Sequence, residues 1–387
     1  MDLKAVFTCF LAVLAVKVTS ASLYDPHMFP DKGPFFEGWY MRVSDLYSRD
    51  SFGLLFGSVL PSSSGNITAP LVVASVLLRS CDKTIDTCKL VSSDGKFTLN
   101  DLNITVKGQP VQSDPDKTAP PDFKWQVNSG SQGGYFEQKG GITTFNFRLG
   151  DLILRGKATN PSYWNDQGTG PEGWLINLPL PLHWFVYSLR SELSSCEIQN
   201  VTSGAVTKVY TGAVHLEKNW GNSFPRQWIW SEGVSFDNDN ATFAMSGGLV
   251  DFPFLSVNAY LIGYRNPMKK LSLDFRPVDS LISTQIDGCT GNVSVSVYSL
   301  RYKLDINLVA PVATLSSCLL GPEMHGFVRA CVESYDATAT IQIYERNLLL
   351  FGYKLIEQKK FEKIALEFGG MHVCGGKCSN SMPPEEL

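Results

Sequence analysis

The sequence predicts an all-β protein with few helices, in which each half of the chain supplies enough strands for a closed barrel. Three observations carry that prediction. Short runs rich in Val, Ile, Thr, Phe and Tyr recur and are broken by Gly, Pro, Asn and Asp; Phe97–Val106, Thr143–Leu149, Val293–Leu300 and Thr338–Tyr344 are examples. Residues 293–300 (VSVSVYSL) alternate small polar with apolar side chains, the period-two pattern of a half-buried strand. Turn chemistry separates the runs, as at Ser92-Ser-Asp-Gly-Lys96 and Ser129-Gly-Ser-Gln-Gly-Gly134.

Taken from the N-terminus, residues 1–21 read as a secretory signal peptide. A short segment with Lys4 leads into an apolar stretch from Ala5 to Val16, and Thr19 and Ala21 suit cleavage after Ala21. The remainder divides softly at the polar stretch Glu197–Lys208, giving barrel units at 22–200 and 201–387. Closed barrels remove sheet edges, and barrels of eight or more strands can hold a small ligand. Pro110–Pro121 is a loop, because patterned strands resume at Trp125. Asn347–Leu366 fits an amphipathic helix, but Gly352 and Tyr353 make a strand pair an equal alternative.

Composition narrows the function classes. Of 387 residues, 44% are apolar and 18% charged, so a large core is expected and wholesale disorder is not. Aromatic residues make up 12%, with eight Trp, which points to aromatic-lined interiors. The net charge is −4 and no basic block is present, which argues against nucleic acid as a partner. After the N-terminus no apolar run reaches the ~18 residues of a membrane-spanning helix, so contact with a membrane is at most transient and superficial.

Cysteines and sequons agree with a secreted or endomembrane-lumenal protein. Cys9 lies in the signal segment; the other eight, Cys81, Cys88, Cys196, Cys289, Cys318, Cys331, Cys374 and Cys378, fit four disulfides. Cys81–Cys88 and Cys374–Cys378 are the short-range candidates. The C-x3-C ending lacks a second Cys/His pair at ligand spacing, so no metal is expected. Sequons begin at Asn66, Asn103, Asn200, Asn240 and Asn292, several in loop-like contexts.

No phosphate-cradling glycine loop and no G-x-S-x-G is present, and the five His (27, 183, 215, 325, 372) lack metal-type spacing. Three segments instead concentrate aromatic and charged residues. In Gly33–Arg42, Glu37 sits among Phe35, Phe36, Trp39 and Tyr40, and in a strand Glu37, Trp39 and Met41 share a face. Such an acid is either paired, with Arg42 or Lys218, or has a raised pKa. In Pro179–Ser191, His183, Phe185 and Tyr187 alternate with Trp184, Val186 and Ser188, a polar tip over an aromatic wall or an ordinary core strand. In Val214–Trp230, Glu217 and His215 share a face, followed by Asn219, Trp220, Phe224, Trp228 and Trp230. A carboxylic acid beside aromatic faces suits a reaction through a carbocation: the acid protonates an alkene and ring faces stabilise the cation. The competing reading is a Glu217–Lys218 or Glu217–Arg226 ion pair that orders the loop.

These segments, in order, resemble the tocopherol cyclase family. The matching elements are Phe35-Phe-Glu-Gly-Trp-Tyr40, Trp184-Phe-Val-Tyr-Ser-Leu-Arg-Ser191, Glu217-Lys-Asn-Trp-Gly221, Phe224-Pro225, Trp228-Ile-Trp230 and the tail Ala365-Leu-Glu-Phe-Gly-Gly370. The resemblance implies two lipocalin-like β-barrel domains packed together, with an apolar pocket. It implies closure of a chromanol ring, by protonation of a prenyl double bond and capture of the cation by a phenol oxygen, with no cofactor or metal. Similar lipocalin-like enzymes include carotenoid 1,2-hydratases, in which an Asp two positions after a Tyr matches Glu217 after His215. The resemblance therefore makes Glu217 the candidate proton donor. Glu37, Trp39, Tyr40, His183, Tyr187, His215, Asn219, Trp220, Trp228 and Trp230 are candidate substrate-binding residues. The expected partner is a small hydrophobic ligand: an isoprenoid, prenylquinol or polyene. A secreted carrier that holds such a ligand unchanged is the alternative, since an aromatic pocket serves binding equally well.

Overall fold

The computed structural model describes residues 26–27, 32–62, 69–82, 87–106, 109–110, 122–165, 170–209, 211–252, 255–347 and 352–378. The expected signal peptide and Asn66 lie outside these residues. Regular structure in the described residues is strand, with four short 3-10 turns.

The first sheet comprises β1 (Phe35–Asp45), β2 (Ser51–Leu60), β3 (Val72–Asp82), β4 (Thr87–Phe97), β5 (Leu102–Val106), β6 (Gln109–Pro110), β7 (Phe123–Ser129), β8 (Gln132–Lys139), β9 (Ile142–Leu149), β10 (Leu152–Ser162), β11 (Leu182–Asn200), β12 (Val206–Val209) and β13 (Gly212–Gly221). Its order is β4-β3-β2-β1-β13-β11-β10-β9-β8-β7-β5-β6, with β12 attached to β11. The second comprises β14 (Gln227–Val234), β15 (Thr242–Phe252), β16 (Leu255–Asn266), β17 (Leu271–Phe275), β18 (Ser280–Asp287), β19 (Asn292–Ser299), β20 (Tyr302–Val309), β21 (Leu319–Glu323), β22 (Gly326–Asn347) and β23 (Gly352–Gly370). Its order is β17-β16-β15-β14-β23-β22-β20-β19-β18, with β21 attached to β22.

Each sheet curls around its own core, as the lipocalin-like prediction requires. Trp39, Phe56, Trp125, Phe136 and Phe147 fill the first, and Phe243, Tyr264, Ile306, Ile341 and Phe361 the second. Burying each such side chain is worth roughly 1.5–3 kcal/mol, and aromatic pairs add to that. Among the described residues no backbone ladder joins the two ends of either sheet. Side chains of one edge strand reach across each sheet instead: Ser93 Oγ on β4 donates to the Leu149 carbonyl on β9 at 2.9 Å, and Thr284 Oγ1 on β18 to Tyr260 Oη on β16 at 3.4 Å.

The sheets divide later than the expected boundary at 200/201. The polar stretch 197–208 contains only the β11–β12 turn, and β13 pairs with both β1 and β11, completing the first sheet. The change of sheet falls between Gly221 and Gln227. Of the segment expected as helix or strand pair, the described residues are strand: Asn347 ends β22 and faces Gly352, and residues 352–366 lie in β23, which pairs with β22.

The cysteine expectation needs correction. Cys374 pairs with Cys289 and Cys378 with Cys318, rather than with each other. The 3-10 turn Cys374–Gly376 points the two thiols toward different neighbours, the β18–β19 turn and the segment before β21. Cys196 and Cys331 are unpaired and buried. Cys196 packs inside the first sheet and Cys331 in the cluster between the sheets, so they cannot meet. Cys88 is disulfide-bonded and stands opposite Cys81 in the β3–β4 register. Asn103, Asn240 and Asn292 are exposed; Asn200 is half-buried.

The two sheets pack through a third cluster containing Trp164, Trp184, Trp228, Trp230 and Tyr335. Ion pairs cross it: Arg42–Glu232 at 2.7 Å, Arg79–Asp336 at 2.8 Å and Arg329–Asp94 at 2.6 Å.

Candidate functional site

Strands β1 and β13 and the first half of β11 are buried on both faces, so side-chain parity decides where each predicted residue acts. One parity faces the interior of the first sheet. There Glu37 Oε1 accepts from Lys218 Nζ at 3.0 Å, and its carboxylate also engages His27 at 2.8 Å. Burial alone would raise the Glu37 pKa, but Lys218 and His27 hold it below the usual value. Glu37 therefore takes the paired alternative, with Lys218, while Arg42 turns to Glu232. Trp220 is sandwiched between His27 and His183, at ring separations of 4.5 and 5.0 Å. His183 is held by Glu172 at 2.8 Å, and Trp39 Nε1 donates to Tyr187 Oη at 3.4 Å. Glu37, Trp39, His183, Tyr187 and Trp220 thus form part of the packed interior. Trp39 borders the cavity described next, but its ring stacks on Phe56.

The opposite parity faces the second sheet. There Tyr40, Glu217, Asn219, Trp228 and Trp230 line a cavity of about 80 Å³ with Phe36, Gly38, Phe224, Leu320, Phe327, Cys331 and Glu367. The pocket expected inside a barrel lies between the two sheets, because each barrel interior is filled by its own core. Neither proposed partner pairs with Glu217: Lys218 turns to Glu37 and Arg226 to Asp251. Instead Glu217 Oε2 meets His215 Nε2 at 2.9 Å and accepts from Trp230 Nε1 at 2.9 Å. Burial would lower the His215 pKa, but Glu217 and Glu232 raise it overall, favouring the imidazolium.

Two carboxyls at this interface escaped the sequence reading. Glu367 lines the cavity and accepts from Trp228 Nε1 at 2.5 Å. Burial raises its pKa, opposed by hydrogen bonds from Trp228 and Cys331 and assisted by Glu217. Glu333 stands directly opposite Glu367 on β22, and Tyr40 Oη donates to it at 3.0 Å. Burial and the neighbouring Glu367 push its pKa well above the ordinary carboxyl range. The tail Ala365–Gly370 held a usable signal, since Gly369 forms the floor on which Trp228 lies. A Cβ there would come 1.8 Å from the indole Cε2.

Chemically, the cavity offers an aromatic wall, a Glu217 side chain hydrogen-bonded to His215 and Trp230, and a second carboxyl whose pKa burial raises. Among the described residues, no group of three or more His, Cys, Asp or Glu is arranged to hold a metal ion, and no helix is long and apolar enough to cross a membrane.

Comparison with known proteins fits this geometry. The tocopherol cyclase-like family model matches residues 33–370. The chloroplastic tocopherol cyclase of Zea mays is 25% identical over 367 residues, covering 87% of this chain and 75% of its own. Among solved structures, CghA with Sch210972 superposes with a TM-score of 0.53 at 9% identity, covering 89% of this chain and 94% of its own. Kievitone hydratase from Nectria haematococca gives 0.50 at 11%, covering 92% and 94%. At such identities these two structures speak to the fold alone. With a family match that spans both sheets and the cavity between them, the chain belongs to the tocopherol cyclase-like family.

Proposed function

We propose that this protein is an acid-catalysed, cofactor-free cyclase of a prenylated quinol or a related isoprenoid or polyene, working in the cavity between its two sheets. The observation that carries this reading is that two differently held carboxyls, Glu217 and Glu367, line one aromatic cavity. Among the described residues no cation offsets the burial that raises the Glu367 pKa, and that upward shift is the direction a general acid needs. Glu217, the donor expected from the sequence, suits the complementary role because His215 and Trp230 hold it as an acceptor.

In this mechanism Glu367 transfers its proton to the olefin. The π electrons form the new C–H bond and leave a tertiary cation, which the Trp228 and Trp230 faces and the Glu217 carboxylate stabilise. The phenol oxygen captures the cation, and its proton passes to Glu217. That proton returns to Glu367 between turnovers, so the reaction is an isomerisation with no atoms gained or lost. The cavity is below the ~300–1,000 Å³ of typical small-molecule sites. It accommodates the reacting end, beside the Phe224–Trp228 edge-to-face pair, 4.7 Å apart. The sequons and the signal-like N-terminus support action in the secretory pathway.

The test is incubation with a prenylated hydroquinone and chromatographic analysis for the ring-closed product. Glu367→Gln should lose roughly 100-fold or more in turnover. Wild-type turnover in that variant would refute the assignment of the donor. If wild-type protein yields no product, and lipid extracted from it is chemically unchanged by mass spectrometry, the carrier alternative replaces the enzyme.

A further inference from the structure

The main cavity does not end at Glu367. Behind it lies a chamber of about 20 Å³ bordered by Tyr40, Ser75, Asp94, Cys331, Glu333 and Glu367. That volume fits one water, and the walls supply the polar partners a buried water needs. Tyr40 and Glu367 border both spaces, while Glu333 borders only the rear one. Glu333 and Glu367 are direct cross-strand partners on β22 and β23, both turned to the inter-sheet side. Side chains opposed in this way have Cβ atoms about 4.5–5.5 Å apart, and like charges there repel.

We propose that Glu333 and Glu367 form one two-carboxyl acid unit, in which Glu333 never meets the substrate and instead keeps Glu367 supplied with a proton. Glu333 is thus a positioning residue, and its catalytic consequence rests on the reading of Glu367 as proton donor. Geometry gives the unit direction. Tyr335 and Tyr40 hydroxyls lie 2.6 Å apart, and Tyr40 donates onward to Glu333, so the phenols end on the rear carboxyl. Glu367 is held at the front by Trp228. When Glu367 releases its proton to a substrate, two adjacent carboxylates would be left in a space with little water. Transfer of the Glu333 proton across the rear chamber relieves Glu367, and the proton taken up by Glu217 restores the total.

The groups that face the unit fix the sign of what perturbs it. Glu217 on β13 and Glu232 on β14 add negative charge, Arg42 on β1 adds positive charge, Asp94 on β4 is paired with Arg329 on β22 at 2.6 Å, and Tyr40, Tyr335 and Cys331 are neutral donors with pKa values raised by burial. Removing one carboxyl should therefore let the other ionise more readily. Removing the Tyr40 hydroxyl, which stabilises ionised Glu333, should make Glu333 ionise less readily.

The experiment is a carbon-13 NMR titration of glutamate carboxyls in the ligand-free full-length protein, with thermal melting as a fold control. Wild type should retain a protonated glutamate at pH 7. Glu333→Gln should lower the titration midpoint of Glu367 by about one unit or more. Tyr40→Phe should move Glu333 in the opposite direction, a response that a merely structural role would not produce. The proposal is overturned if both carboxyls are ionised at pH 7 in wild type, or if Glu367 titrates identically with and without Glu333. Should Glu333→Gln fail to fold, the Tyr40→Phe shift decides alone. No substrate enters the titration, so this proposal can stand even if Glu367→Gln still cyclises the quinol, a result that would sink only the functional reading.

Discussion

Replacing Arg42 tests how much the buried Arg42–Glu232 ion pair contributes to holding the two sheets together. Its guanidinium is fully enclosed, donating to Glu232 at 2.7 Å, to the Lys363 carbonyl at 2.5 Å and to Ser51 Oγ at 3.3 Å, and it stacks over the Tyr335 ring at 4.8 Å. Arg42→Met keeps most of the stem volume but leaves the Glu232 carboxylate buried without its counter-charge. Breaking a buried pair from one side typically costs about 3–5 kcal/mol. In the double variant Arg42→Met, Glu232→Met the stranded charge disappears. What remains is mainly the Lys363 carbonyl without its donor, a penalty of about 1–3 kcal/mol. Urea unfolding followed by circular dichroism should thus show the double variant more stable than Arg42→Met alone. A single variant within 1 kcal/mol of wild type, or a double variant no better than the single, would refute this account.

Four further expectations follow from the same interface and its surroundings. Glu333 and Glu367 hold protons more tightly when folded than unfolded, so above about pH 4.3 the folded state binds more protons and their contribution to stability falls as pH rises. Glu333→Gln should therefore raise the melting temperature relative to wild type at pH 8 but not at pH 4; equal differences at both would count against it. Gly369→Ala should displace the Trp228 indole from its floor and destabilise by about 1–3 kcal/mol, read by thermal melting and near-ultraviolet circular dichroism. Peptide mapping without reduction should recover Cys289–Cys374 and Cys318–Cys378, with Cys196 and Cys331 alkylated only after denaturation; losing either bond, which spans 85 or 60 residues, should cost roughly 2–4 kcal/mol. An endoglycosidase should increase the gel mobility of protein from secreting cells, since Asn103, Asn240 and Asn292 are exposed.

Much of the fold was legible because strand periodicity is local. The alternation at 293–300 and the turn glycines needed no tertiary information, and both sheets follow that pattern. The aromatic segments also brought several residues together, since Tyr40, Glu217, Trp228 and Trp230 converge on one cavity. Periodicity alone could not reveal that β1 and β13 are buried on both sides. Glu37 and Tyr40, three residues apart, therefore serve different compartments despite sharing a motif. Glu333 and Glu367 were invisible as site residues because their significance comes from cross-strand register and from burial by the other sheet. The cysteine pairs depended likewise on where a terminal turn directs its thiols.

The division of labour between alternate positions on β1 and β13 has an evolutionary consequence. Even-numbered positions of Phe35–Asp45 and odd-numbered positions of Gly212–Gly221 border the neighbouring sheet, while the intervening ones keep the first barrel filled. Changes confined to the former can reshape what the protein accepts without emptying a hydrophobic interior. If the seam is the binding site proposed above, ligand preference there can diverge faster than the architecture of the two barrels.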